Sequence, residues 1–282
     1  MSSAYLLISH GSRDPRPQLA METLAELVRV RLGDRKLTQM NRIGDFTPVL
    51  HTEVIYPTQL DGWRGRREAQ RRGGVGTTVL VGTATLELAP VPLHEQIYQF
   101  ATTALTLGCD HIQILPLFLL PGVHVMEDIP QEVRLAQHHL GERVLIEQRP
   151  YLGAHPNLGQ LLVNQKATLR ADAKILLSHG TRRSGGNQFV ENVAEELGAI
   201  VAYWSVQPTL LEQVKGLVVE GYEQITIVPY FLFSGGITDA IAQAVAHLGE
   251  QFPTVQLNLG EPIGATVELA NLIIDLIEVT QG

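Results

Sequence analysis

The chain has a single cysteine, Cys109, in 282 residues. One thiol cannot form an intrachain disulfide framework, and alone it cannot hold an iron–sulfur cluster or a thiolate zinc site. No window reaches the roughly eighteen consecutive apolar residues that a membrane-spanning helix needs. The opening "MSSAYLLISHGSRD" has neither the basic start nor the apolar length of a secretory leader. Positive charge is also scarce: 21 Lys and Arg against 29 Asp and Glu give a formal charge of −8 and a pI near 5.7. That balance argues against general affinity for nucleic acid or an anionic membrane. "GGVG" (73–76) and "SGGN" (184–187) are glycine-rich, but neither makes a Walker loop or a complete dinucleotide fingerprint, and no Gly-x-Ser-x-Gly elbow occurs. The expectation is a cytoplasmic globular protein, with 45% hydrophobic residues to build its core.

What is present is a series of strand-length apolar runs. "YLLIS" (5–9), "TTVLVG" (77–82), "HIQILPLFL" (111–119) and "RVLIEQ" (143–148) come first. "KILLS" (174–178), "AIVAYWSV" (199–206), "QITIVPYFLF" (224–233) and "VQLNLG" (255–260) follow. These are continuous rather than alternating runs, as parallel strands covered on both faces require. Helical patterns such as "QLAMETLAELVRVRL" (18–32) and "QFVENVAEELG" (188–198) separate them. Strands alternating with helices predict an α/β fold built of βαβ units.

The two series match in order. "SHGSR" (9–13) answers "SHGTR" (178–182), and "LGCDHIQILPLFL" (107–119) answers "EGYEQITIVPYFL" (220–232). "PYLGAHPNLGQLL" (150–162) answers "EPIGATVELANLI" (261–273), each a turn leading into a final helix. An internal repeat of this length predicts duplicated domains, residues 1–170 and 171–282. They differ in one large way. His10 to Glu87 spans 77 residues, whereas His179 to Trp204, the apparent counterpart, spans 25. The surplus, near residues 35–76, is arginine-rich and has few strand-length apolar runs, so it is expected to be a lid or a solvated charged loop.

Ligands of parallel α/β sheets bind at the carboxyl ends of the strands. His10 directly follows "YLLIS", Glu87 follows "TTVLVGTATL", and His124 lies just past "IQILPLFLL" on a Pro-Gly loop. Two imidazoles and a carboxylate at one edge can ligate a borderline divalent metal or move protons near neutral pH. Taken singly, each has a plainer explanation: His10 as a strand-end structural residue, Glu87 as an arginine's partner. The duplication separates these readings. The second half keeps His179 but writes Trp204 for Glu87 and Ile237 for His124, so Glu87 and His124 belong to one site rather than to the shared fold. His138 and His139 sit late in a helix, where the C-terminal dipole favours a cation.

Three segments, "LLISHGSRDPR" (6–16), "ATLELAPVP" (84–92) and "PLFLLPGVHVMEDIP" (116–130), resemble the sirohydrochlorin chelatases of the class II group, CbiX/SirB type, in their long tandem-duplicated form. The resemblance implies two duplicated chelatase-like lobes, each a parallel sheet flanked by helices, with the active site in a cleft between them. It implies insertion of a divalent metal into sirohydrochlorin for siroheme or cobalamin. Fe²⁺ is expected ahead of Co²⁺, because no histidine-rich metal store is present. The metal is then substrate, and no permanently bound cofactor is expected. The family's two functional histidines fall on His10 and His124, as metal ligands and proton acceptors, and its acidic residue falls on Glu87. A macrocycle bearing eight carboxylates asks for forked cationic contacts, for which Arg13 and the cluster containing Arg64, Arg66 and Arg67 are candidates. With both lobes in one chain, a monomer suffices. Two alternatives remain open: a non-catalytic bilobal carrier of tetrapyrrole or metal, and a histidine phosphatase with His10 as nucleophile. The latter lacks the customary arginine before His-Gly, where Ser9 stands instead.

Overall fold

The computed structural model describes residues 2–41, 52–55, 79–163 and 171–278. The first half runs β1 (Ser2–Ser9), α1 (Pro15–Asn41), β2 (Thr52–Ile55), β3 (Val79–Thr85), α2 (Leu93–Thr106), β4 (Cys109–Pro116), α3 (Ile129–Leu140), β5 (Leu145–Gln148) and α4 (Gln160–Val163). The second runs β6 (Ala173–Ser178), α5 (Gln188–Leu197), β7 (Ile200–Tyr203), α6 (Leu210–Val219), β8 (Gln224–Tyr230), α7 (Gly236–Gln251), β9 (Gln256–Leu259) and α8 (Val267–Glu278). The strands form two sheets, ordered β2-β3-β1-β4-β5 and β7-β6-β8-β9, and every pairing is parallel. All eight apolar runs become strands of the expected α/β architecture. The ninth, β2, lies inside the surplus after α1. Among the described residues it adds an edge to the first sheet that the second lacks, so the surplus contains regular structure, and most of the rest of the surplus lies outside the described residues.

Each sheet is covered on both faces, which is why its strands carry continuous apolar runs. One cluster joins the outer face of the first sheet to α2 and α3, through residues such as Leu6, Ile112, Ile97 and Ile129. A second does the same for the other sheet with α6 and α7. The third and largest cluster is shared. Leu7 and Leu115 of the first sheet, Leu176 and Val228 of the second, and helices α1, α5 and α8 pack in one continuous core. Helix α1 supplies Met21, Leu24, Ala25, Val28 and Leu32, a stripe with helical period.

The last helix of the chain does not stay with its own half. Helix α8 packs along α1 of the first lobe, and Arg35 of α1 reaches Glu278 at 2.8 Å. The buried Arg149, just past β5, donates to the Leu276 carbonyl at 3.1 and 2.9 Å, satisfying an end-of-helix acceptor. In return, Gly159, beside α4, lies against Val193 of α5, where a β-carbon would come within 3.3 Å. The duplicated halves thus hold each other through their final segments.

Candidate active site

The carboxyl edges of both sheets open onto one cleft of about 890 Å³, lined by His10 and His124 from the first lobe and His179 and Ile237 from the second. The site begins with a backbone constraint. Gly11 has φ +101°, and a β-carbon there would fall 2.1 Å from the Glu87 carbonyl oxygen. Only glycine allows the 86–88 segment to cross so close to the end of β1. Pairing between β1 and β3 continues into this region: Leu86 N–H donates to Ser9 O and Glu87 N–H to His10 O, both at 2.9 Å. Glu87 is thereby set beside His10, with Glu87 Oε2 3.8 Å from His10 Nδ1.

A second clasp comes from α2. The buried Gln96 side chain accepts from Thr85 N–H at 3.1 Å and donates to Thr85 O at 2.9 Å and Val91 O at 3.1 Å. It pins both ends of the loop that carries Glu87. His124 arrives from β4. After an α-type turn in which Met126 N–H donates to Gly122 O at 3.1 Å, a π-helical turn runs over His124–Asp128, with Ile129 N–H donating to His124 O. Such turns recur at functional sites, and the extra residue in the turn re-aims side chains. Here it brings Asp128 Oδ2 to 2.7 Å from His124 Nδ1. With Nδ1 donating to that carboxylate, the Nε2 lone pair of His124 is left free.

The three predicted residues therefore meet. The His10 and His124 rings lie edge to face with centroids 4.8 Å apart, and Phe118 stands 6.3 and 6.2 Å from the two. The ligand atoms of His10, Glu87 and His124 all lie within 4.8 Å of one another. Donors bound to one ion at about 2.1 Å can be at most about 4.2 Å apart, so small rotations would close the set around a metal. His10 and Glu87 are about half exposed, which suits an ion that arrives and leaves. Arg13 is exposed on the cleft wall and engages no carboxylate among the described residues. Arg64, Arg66 and Arg67 lie outside the described residues.

Two features escaped sequence reading. Asp128 carried a usable signal, since residues four apart on a helix share a face. Gln96 carried none, because its partners are backbone atoms. One counterpart also needs correction. Trp204 N–H donates to Ser178 O and Ser205 N–H to His179 O, so the equivalent of Glu87 is Ser205, and Trp204 matches Leu86. Ser205 Oγ turns back to donate to the His179 carbonyl at 2.8 Å. Ile237 does stand in the place of His124. Asp239 N–H donates to Gly235 O, as Met126 N–H does to Gly122 O.

Two ionic contacts join the lobes. Arg16, at the start of α1, grips Asp239 of α7 with two nitrogens, at 3.0 and 2.5 Å, and Asp14 with three bonds of 3.1, 3.1 and 2.5 Å. The guanidinium holds the Asp14 carboxyl down at about 2 and the Asp239 carboxyl below its usual range. Arg183 approaches Glu127 at 3.9 Å.

Fold and site together define a class: two-lobed parallel α/β proteins that gather two imidazoles and a carboxylate at an interlobe cleft. A family model described as CbiX matches residues 69–168 and again 173–280. The chain belongs to the CbiX family. It is 22% identical over 70% of its length to the sirohydrochlorin cobaltochelatase of Priestia megaterium, spanning 68% of that protein. It is 24% identical over 58% of its length to the sirohydrochlorin ferrochelatase of the same organism, spanning 64% of it. In fold it is similar to SirB from Bacillus subtilis, solved with Fe³⁺. The TM-score is 0.67 at 19% identity, covering 98% of this chain and 94% of that one. Among the described residues, no helix is long and apolar enough to cross a membrane.

Proposed function

We propose that this protein is a sirohydrochlorin chelatase, inserting Fe²⁺ or Co²⁺ into sirohydrochlorin with release of the two pyrrole protons, on the way to siroheme or cobalamin. The observation that carries this reading is the His10–Glu87–His124 cluster at the cleft of a CbiX-family chain. Metal insertion needs a transient ligand set that can shed its ion, bases for two protons, and walls that hold the macrocycle in place. His124 offers Nε2, its other nitrogen being occupied by Asp128. His10 offers a second imidazole beside it. Glu87, beside His10, takes the proton that the imidazole passes on.

The cleft volume falls within the range of small-molecule sites. In this reading residues 1–170 supply the reacting groups and 171–282 the facing wall. Arg13, which engages no carboxylate among the described residues, pairs with those of the substrate. Fe²⁺ is the first candidate metal, and Co²⁺ the second, since both accept imidazole and carboxylate ligands. The test is anaerobic absorbance of sirohydrochlorin with catalytic amounts of protein, run separately with each ion. Acceleration well above the protein-free rate is expected, and the faster ion names the pathway. Binding of sirohydrochlorin with no acceleration by either ion would make the protein a carrier instead.

A further inference from the structure

Leu88 is unusual in two independent ways. Its φ is +62°, and among the described residues it is the one non-glycine in the left-handed region. A branched apolar side chain is strained there, and glycine or asparagine is the ordinary solution for such a turn. Leu88 is also 58% exposed, on the cleft wall next to Glu87. In the free protein it therefore combines backbone strain with hydrated apolar surface, and burial repays neither.

The second lobe shows that the repeat itself does not demand this. Leu88 corresponds to Val206, which has no positive φ and packs against the shared core. In the first lobe the turn is fixed from outside. Gln96 clasps Thr85 and Val91 on either side of it, and the Glu87 carbonyl lies over Gly11. Strain held in place by surrounding structure at a ligand cleft is the pattern expected of a built contact. The cleft offers a second exposed apolar group from the other lobe: Ile237, 45% exposed, at the position equivalent to His124.

We propose that Leu88, with Ile237 from the second lobe, forms the apolar contact that seats the face of the tetrapyrrole over the His10–Glu87–His124 cluster. The assignment rests on the chelatase reading and adds to it the residues that recognise the ring rather than the metal. An aliphatic side chain on a flat conjugated face withdraws apolar area from both partners, and its contribution appears only when the ligand is bound.

Three proteins test it: the native chain, Leu88→Gly and Leu88→Ala. Glycine accepts the left-handed turn without strain, whereas alanine keeps the strain and loses the contact. Sirohydrochlorin affinity is measured by titration against its own fluorescence without metal, Co²⁺ affinity by absorbance without tetrapyrrole, and stability by thermal unfolding. Both variants should bind sirohydrochlorin about tenfold more weakly, the order expected for a partly withdrawn leucine side chain. Co²⁺ affinity should be unchanged, and Leu88→Gly should unfold no earlier than the native chain. Equal sirohydrochlorin affinity in native protein and Leu88→Gly would overturn the assignment and leave the chelatase reading standing. A parallel loss of Co²⁺ affinity would also overturn it, by showing that the residue acts through Glu87. Failure of the native chain to bind sirohydrochlorin would overturn both.

Discussion

The two lobes share a strand–histidine–glycine edge and use it differently. In the first, the crossing segment after β3 presents Glu87 and Leu88 to the cleft. In the second, the equivalent Ser205 bonds back to His179 O, and Val206 packs inward. The helix after β4 opens with His124 braced by Asp128, whereas the helix after β8 opens with Ile237. The crossing backbone bonds and the sheet register match between the lobes, so the differences lie in the edge side chains, the left-handed turn at Leu88 and the π-helical turn at His124. Both sheets line the cleft, and among the described residues one cluster of two imidazoles and a carboxylate lies there. The comparison separates residues shared by both lobes from residues that the proposed chemistry requires in one.

The largest test of that separation is a pair of substitutions. His124→Ala should reduce the metal-insertion rate by about a hundredfold or more, the range for a lost ligand or base, while His179→Ala should retain most of the activity. Steady-state rates with saturating sirohydrochlorin would read both, and equal damage would break the one-site account. Asp128→Asn sharpens it. Losing the carboxylate that orients His124 should weaken Co²⁺ binding about tenfold, the lower end for an outer partner of a ligating histidine, with sirohydrochlorin affinity unaltered. The smallest effect concerns what joins the lobes. Asp14 and Asp239 have folded-state acidities shifted below the usual carboxylate range by Arg16. The stability they add is therefore present above the ordinary value of 3.8 and is lost as pH falls towards about 2. The thermal midpoint of the native chain should exceed that of Arg16→Ala by a small margin at pH 6, and the margin should vanish near pH 2. A constant margin would remove the clamp from the account.

Much of this was legible in the sequence. Strands buried on both faces leave continuous apolar runs, and eight of the nine could be read directly. β2 was missed: "TEVI" is four residues long, and His51, Thr52 and Glu53 interrupt the apolar run around it. His10, Glu87 and His124 were legible because each closely follows an apolar run, and strand ends converge in a parallel sheet. The register after β7 was not, since choosing between Trp204 and Ser205 depends on two backbone bonds. The packing of α8 on α1 was hidden for a similar reason: a helix's apolar stripe shows that it needs a partner, not which one.

The most direct measurement of the one-site claim is anaerobic titration with Co²⁺, followed by its visible absorption, on the native chain, His124→Ala and His179→Ala. The account predicts one equivalent per chain, lost in His124→Ala and kept in His179→Ala. Two equivalents in the native chain, or loss of binding in His179→Ala, would show that both lobes handle metal and would contradict it.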